Sequence, residues 1–321
     1  MAATRVTLSM SPSIPTPLRI TVAIPTYNRA DFLRQTLAGI VRQDFPKDLY
    51  EIIVVDNNSR DHTQQVAAEF ANAKPAVRYI VEIQQGLDHG RNRAVAEAKG
   101  EVIVFADDDI LVEPDWLTQL SAPFAADIDQ RIGAVGGEVI PVFPDGLDPW
   151  VSEWHAPLAF RSDTGPLPAR QSPMGANLAF PRHVFAQHGL FSTALDRNGT
   201  SFFSGGETEM LRRLRAAGLE IWFAPKAKVL HQMPASRTTF RYAARHAFDS
   251  ARSRVVDRGK SSIPYLASRF FANAVKVLAF ALLALFNTLL LRTGAAKKAL
   301  VRAWRSCGYL YQIPRTLAGK L

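Results

Sequence analysis

Three consecutive carboxylates, Asp107-Asp108-Asp109, close the run Glu101-Val102-Ile103-Val104-Phe105-Ala106 and are followed by Ile110. Mostly apolar β-branched and aromatic residues of this length read as a short buried strand. Such a strand has no use for three anions at its end unless something positive sits there. Asp107 and Asp109 are two apart and can project the same way from an extended backbone. Oxygen ligands without His or thiolate suit Mg2+ or Mn2+, ions held by one or two carboxylates that share the rest of their shell with phosphates. The competing reading is a solvated acidic turn or helix start, since Asp also favours N-caps and Glu113-Pro114-Asp115 follows.

A second acidic pair stands in Ser204-Gly205-Gly206-Glu207-Thr208-Glu209-Met210, which opens a helical pattern with one apolar and one basic face. Acids in a first turn favour the macrodipole. They could equally take a proton from an attacking hydroxyl, the task of a general base. His231 follows a strand-like run, where one reading is a satisfied structural histidine.

These groups need a scaffold, and the spacing supplies one. Arg19 to Arg29 reads as a strand that stops at Pro25 and opens into a polar turn, and Asp31 to Arg42 has helical spacing. Tyr50 to Val55 is a second strand ending at Asp56-Asn57-Asn58-Ser59, followed by a helix over roughly 63–73. Val77 to Val81 is a third strand, Arg91 to Lys99 the next helix, and Ile132 to Val139 a later strand. Strand, polar end and helix in repetition predict an α/β fold with a Rossmann-like, mostly parallel sheet flanked by helices. In open parallel sheets ligands bind at the carboxyl ends of the strands, so Thr26, Tyr27, Asp56 and the aspartate triad should converge on one crevice that fits a mononucleotide. Neither GxGxxG nor GxxxxGK[ST] follows the first strand, which argues against a dinucleotide dehydrogenase or a P-loop enzyme.

The succession VAIPTYNR, IIVVDNNSRD, GLDHGRNRAVAEAKGEVIVFADDDI, PMGANLAFPRHVF and SGGETEMLRRLRAAG resembles the family 2 glycosyltransferases, which have the GT-A fold. The resemblance covers about 19–237. It implies an inverting, metal-dependent transfer of a sugar from a nucleoside diphosphate, a UDP-sugar in most relatives, to a saccharide or lipid-linked acceptor. It further implies that Pro25, Thr26 and Tyr27 pack on base and ribose, that Asp56 bonds the base, and that Arg91 lies near base and phosphates. Asp107 and Asp108 then face the nucleotide, Asp107 and Asp109 the Mn2+ or Mg2+, and His231 stands where some relatives place a metal or phosphate contact. Gly175 and Asn177 fall in the family's acceptor-side segment, and Trp154 in a Pro- and Trp-rich stretch is either a sugar-stacking wall or packing under a loop. The family's base is the Asp of a Glu-Asp pair. Alignment of Thr208-Glu209 with the residues after that pair puts Glu207 at the base, with Glu209 the fallback. The Gln-x-x-Arg-Trp motif of processive synthases does not occur, so transfer is expected to be non-processive. A polyprenyl-phosphate sugar transferase and a non-catalytic sugar-nucleotide-binding subunit are the alternatives.

At 321 residues with 47% hydrophobic content the chain holds a large core. The lone Cys307 excludes an intramolecular disulfide and fits a reducing compartment. Residues 1–18 read as a flexible lead-in without the apolar core of a signal peptide, so the catalytic part is expected to stay in the cytoplasm. The net charge of +9 sits in residues 258–321, which carry eleven Lys or Arg and no acid, leaving 27 basic against 29 acidic residues before them. These charges flank an apolar run over 271–291, a pattern of anionic membrane surfaces rather than of nucleic acid. An interfacial, re-entrant or spanning helix at the cytoplasmic face of the membrane is expected, against a soluble helix packed on the catalytic body. The domain organisation is therefore a 19–257 GT-A domain, with 19–115 binding nucleotide and 116–257 acceptor, and a basic helical tail over 258–321.

Overall fold

The computed structural model describes residues 19–319 except 145, 147–149, 152–156, 197–201, 203, 204 and 258–261. The lead-in over 1–18, Trp154 and Ser204 thus lie outside the described residues.

Strands β1 (Ile20–Thr26), β2 (Tyr50–Asp56), β3 (Val77–Val81) and β4 (Val102–Ala106) run parallel in the order β3-β2-β1-β4. Helices α1 (Ala30–Val41), α2 (Thr63–Glu69) and α3 (Leu87–Glu97) make the crossovers. After β4 come β5 (Ile110–Val112), α4 (Trp116–Ala125), β6 (Ile132–Val142), β7 (Gly165–Pro166), β8 (Asn177–Pro181) and α5 (His183–His188). The body ends with α6 (Gly206–Ala216), β9 (Glu220–Gln232) and α7 (Phe240–Asp257). Beyond β4 the sheet continues β8-β6-β9-β5, with β7 on β9. β8 is antiparallel to β4 and β6, β6 and β9 are parallel, and β5 and β7 are antiparallel to β9, so the sheet is mixed, with its β1–β4 half parallel as the βαβ rhythm predicts.

Period-two alternation builds the two faces. Ile20, Val22, Ile24, Ile52, Val54, Val102 and Val104 pack under α1, α2 and α4, while Ala23, Ile53, Val55, Ile103 and Phe105 pack under α3, α5 and α6. Both faces of these strands are covered, which is why they read as continuous apolar runs. Phe105 meets Phe180, Phe185 and Phe191 edge-on at 5.3–6.3 Å, locking β4 to β8 and α5.

Four boundaries differ from the sequence reading. β1 runs through Pro25 to Thr26, because Thr26 is the residue whose carbonyl faces β2, accepting from Asn57 N at 2.9 Å. The nitrogen of Pro25 therefore faces β4, whose pairing with β1 stops at Ala23, and its missing N–H costs no ladder bond. α2 stops at Glu69, where i→i−3 bonds such as Ala73 N to Phe70 O tighten the chain ahead of Pro75. α3 starts at Leu87 rather than Arg91, because the Asp196 carboxylate accepts from the N–H groups of Asp88 and His89 at 2.8 and 3.2 Å. β6 extends to Val142.

The tail forms α8 (Ile263–Leu289) and α9 (Thr293–Leu317), so the apolar helix begins earlier and ends slightly before the 271–291 run. Among the described residues α8 is the helix long and apolar enough to cross a membrane. α9 packs between α7 and α8, and Val301 joins Trp150, Val151, Ala244 and Ala247 in a small separate core that fastens the tail to the body.

Candidate active site

The aspartate triad occupies the turn between β4 and β5. Thr36, buried on α1, pins that turn: its hydroxyl accepts from Ile110 N at 3.1 Å and lies in donating reach of the carbonyls of Asp108 and Ile110, at 2.9 and 2.8 Å. The three carboxylates then diverge. Asp107 stays half-buried, while Asp108 and Asp109 turn inward and are buried.

Asp108 accepts from Thr26 Oγ1 and from Arg29 Nη1, both at 2.7 Å. Asp109 receives Arg29 Nη2 at 2.7 Å and Arg237 Nη1 at 3.1 Å on one oxygen, and His231 Nε2 stands 3.0 Å from the other. Burial pushes the Asp108 carboxyl up to about 6, with the neighbouring Asp109 charge adding to it and Arg29 opposing. Burial also opposes ionisation of Asp109, but the His231 contact with Arg29 and Arg237 holds its carboxyl well below the usual range. The same contact outweighs burial at His231 and raises its pKa. Asp109 is thus the fixed anion of the turn.

Asp107, Asp109 and His231 each offer a ligand atom, and these atoms lie within 4.8 Å of one another. Two carboxylates and an imidazole form a donor set that suits Mn2+ or Mg2+, and the buried Asp109 Oδ1 and His231 Nε2 stand 3.0 Å apart. The residues fit a divalent metal.

Asp56, at the end of β2, is buried and accepts from Ser59 N at 2.9 Å and from the Tyr79 hydroxyl. Burial, reinforced by Asp56, pushes that hydroxyl well above its ordinary value, so Tyr79 remains a donor. Tyr27 is exposed at the mouth of the crevice, and Pro25 lies under Gly90 of α3. Thr26, Asp56 and the triad are therefore brought to one sheet edge, as the sequence predicts.

Arg91 is the pivot of the other wall. Its Nη1 donates to Asp88 Oδ1 at 2.9 Å and to Glu207 Oε2 at 3.2 Å, and its guanidinium lies 5.5 Å over the Phe191 ring. Burial opposes its charge, but Asp88, Glu207 and Asp107 together raise its pKa, so it stays a cation. Asp88 is buried against the first residue of α6: a Cβ on Gly206 would meet Asp88 Oδ2 at 2.0 Å. Burial, with Asp196 and Glu207 adding to it, lifts the Asp88 carboxyl to about 7 despite Arg91. Gly175 completes the wall, since a Cβ there would stand 2.4 Å from Arg91 Nη2 and 3.6 Å from Glu207 Cδ.

The two candidate bases part company on α6. Glu207 faces Arg91 and Gly175, whereas Glu209 faces Arg213 at 2.9 Å and Arg212 at 3.9 Å. Positions two apart on a helix do not share a face. Asn177 also departs from its acceptor-side reading. Its oxygen accepts from Trp116 Nε1 at 3.0 Å and its amide donates to the carbonyls of Ala227 and Glu138 at 2.7 and 3.1 Å, so both donors are engaged in joining β8 to α4, β9 and β6. Arg29, Arg237, Thr36 and Asp88 join the site without a sequence signal of their own, although Arg29 sits in the Tyr27-Asn28-Arg29 turn beside Thr26 and Tyr27.

A model of "Glycosyl transferase family 2" matches residues 21–187. The glycosyltransferase AglE of Haloferax volcanii is 28% identical over 64% of this chain, which spans 64% of that relative's length. The glucosyl-dolichyl phosphate glucuronosyltransferase of the same organism is 25% identical over 72% of this chain and 74% of its own. Among solved structures, the mannosyltransferase PcManGT of Pyrobaculum calidifontis, in complex with GDP-Man and Mn2+, superposes with a TM-score of 0.62 at 21% identity, covering 99% of this chain and 92% of that one. The mixed sheet and its helical layers are those of the GT-A fold.

Proposed function

The chain belongs to glycosyl transferase family 2 and is a glycosyltransferase, and on that premise we propose that it is inverting, metal-dependent and non-processive. It moves a sugar from a nucleoside diphosphate to a hydroxyl of a saccharide or lipid-linked acceptor at the cytoplasmic face of the membrane. The observation that carries this reading is the meeting of Glu207, Arg91 and Gly175, with the aspartate turn close enough to bear on Arg91.

Glu207, about a fifth exposed, accepts the proton of the acceptor hydroxyl as that oxygen attacks the anomeric carbon. The bond from that carbon to the diphosphate breaks with its electron pair, and attack opposite the leaving group inverts the centre. Arg91 orients Glu207 and, being buried and charged, adds positive potential where the diphosphate charge grows. Arg29 and Arg237 do the same from the Asp109 side. Pro25, Thr26, Tyr27 and Asp56 cradle base and ribose; Asp107 and Asp108 complete that wall, with Asp108 acting through Thr26 and Arg29. Asp107, Asp109 and His231 would hold Mn2+ or Mg2+, which when bound neutralises the departing diphosphate as a Lewis acid.

The donor reading is supported by the GDP-Man and Mn2+ of PcManGT, and the base, uridine by resemblance, is what a donor panel decides. The lipid-linked acceptor is supported by the glucosyl-dolichyl phosphate of the archaeal relative. Residues 19–115 serve the nucleotide, 116–257 the acceptor, and 258–321 the membrane. The test is transfer from a panel of nucleotide sugars by the wild type and by Glu207→Gln. Loss of turnover by about 10²–10⁴-fold with donor binding retained supports a base acting on a hydroxyl. Unchanged turnover in the variant would favour a polyprenyl-phosphate acceptor, which needs no base, and no turnover in either would favour a binding subunit.

A further inference from the structure

α8 and α9 form an antiparallel hairpin joined over 290–292, and the way α8 packs divides its surface sharply. Leu266, Phe270, Asn273, Val277, Phe280, Ala284 and Asn287 recur at alternating spacings of four and three and include all its buried positions, with Ala267, Arg269 and Ala274 half-buried beside them. That period makes one seam along the helix, turned onto α9. The two asparagines cost nothing there, because Asn273 donates to Arg269 O and Asn287 to Leu283 O, each at 2.7 Å. A second stripe of the same period, Phe271, Val275, Leu278, Leu282, Leu285 and Leu289, is 58–73% exposed. It runs for roughly 27 Å at 1.5 Å per residue. A continuous apolar face of that length exceeds what a soluble surface carries singly and marks an interaction site.

Charge identifies the occupant. Residues 258–321 contain no Asp or Glu, and Lys276, Arg292 and Arg302 are exposed on the hairpin. An apolar stripe in a purely cationic segment complements an anionic lipid surface. The packing then fixes the orientation. α9 lies along α8 with Lys298, Arg302 and Arg305 in its first half, and it packs on α7, which carries Arg241, Arg245, Asp249, Arg252 and Asp257. Standing α8 upright in a bilayer would draw the cations of α9 into hydrocarbon, where charged side chains are costly. Laid flat, α8 meets the acyl chains while α9 and α7 remain on the water side.

We propose that α8 is an in-plane membrane helix whose Phe271-to-Leu289 stripe seats in the headgroup and acyl boundary of an anionic bilayer, with α9 as its backing. The inference deepens the membrane location proposed above and is independent of the transfer chemistry. Because Trp150 and Val151 of the body pack with Val301 of α9, the catalytic crevice would be held at a fixed height above the lipid.

The test uses the full chain carrying Cys307→Ser and a single nitroxide at F271C, L278C or L289C, with vesicles of phosphatidylcholine containing or lacking phosphatidylglycerol. The expected result is one shared shallow depth for all three labels, with binding that needs phosphatidylglycerol and weakens with salt. Leu278→Asp with Leu282→Asp should lower vesicle affinity by about tenfold or more. A deep label at 278 flanked by shallower ones at 271 and 289 would overturn the in-plane reading in favour of a span. Failure to bind vesicles, with the labels immobilised in a soluble oligomer, would give the stripe to a second copy of the chain and remove the membrane location with it.

Discussion

Glu207 Oε2 accepts from Arg91 Nη1 at 3.2 Å across 116 residues of sequence, so the acid of α6 is held by the cation of α3. Arg91 and Asp88 are both buried, and Arg91 is the shared partner of two carboxylates. Removing one partner of a buried pair costs more than the pair contributes, because the remaining charge is stranded.

Arg91→Met should therefore lower stability by about 3 kcal/mol or more, read as a fall in the urea midpoint with little change in slope. Turnover should fall with it. Arg91→Lys, which keeps the charge but loses the fork, should recover more of the stability than of the turnover.

Asp88 gives the fold a pH dependence of unusual sign. Its folded carboxyl is raised from 3.8 to about 7, so between those values the folded chain holds a proton that the unfolded chain has lost. Its stabilising contribution is complete below the unfolded value and disappears as pH rises through about 7. The slope is at most about 1.4 kcal/mol per pH unit. Arg91, Glu207 and Asp196 are the charged groups that face it. Denaturant midpoints of the wild type between pH 5 and 7.5 should fall relative to those of Asp88→Asn, whose curve lacks this component; parallel curves would refute the assignment.

Local chemistry carried much of this architecture in the sequence, and long-range pairing hid the rest. The alternation that buries Ile20, Val22 and Ile24 against one helical layer and Ala23 against the other is written in consecutive residues, as are the carboxylates at the ends of β2 and β4. The start of α3 is not, because its cap is Asp196, 108 residues away from Asp88. Nor is Arg237, which reaches Asp109 across 128 residues. That Glu207 and Glu209 lie on different faces needed only the helix period, since Glu209 falls on the face of Arg213 four residues on.

Asn177 tests the boundary between framework and acceptor site. Asn177→Ala would leave Trp116 Nε1 without its acceptor and strip the amide donor from Ala227 O and Glu138 O, all buried or nearly so. Unsatisfied buried groups cost about 1–3 kcal/mol each before relaxation. Thermal unfolding should drop by several degrees or more, while KM for the acceptor in the folded fraction stays near that of the wild type. A raised acceptor KM with unchanged stability would restore the residue to the acceptor side.

The metal reading makes a prediction that does not require turnover. Asp109 is compensated by Arg29, Arg237 and His231, so the apo fold already tolerates its charge, and a bound divalent ion adds stability only through its own affinity. At a concentration one hundred times Kd that gain is about 2.7 kcal/mol. Mn2+ should raise the unfolding temperature of the wild type, EDTA should reverse it, and His231→Ala and Asp107→Asn should each blunt the rise. Arg29→Met should start from a lower unfolding temperature, since Asp108 and Asp109 lose their shared cation, and should gain more from Mn2+ than the wild type does. An Mn2+ response that survives both ligand variants would move the metal away from this turn, and with it the role assigned to Asp109.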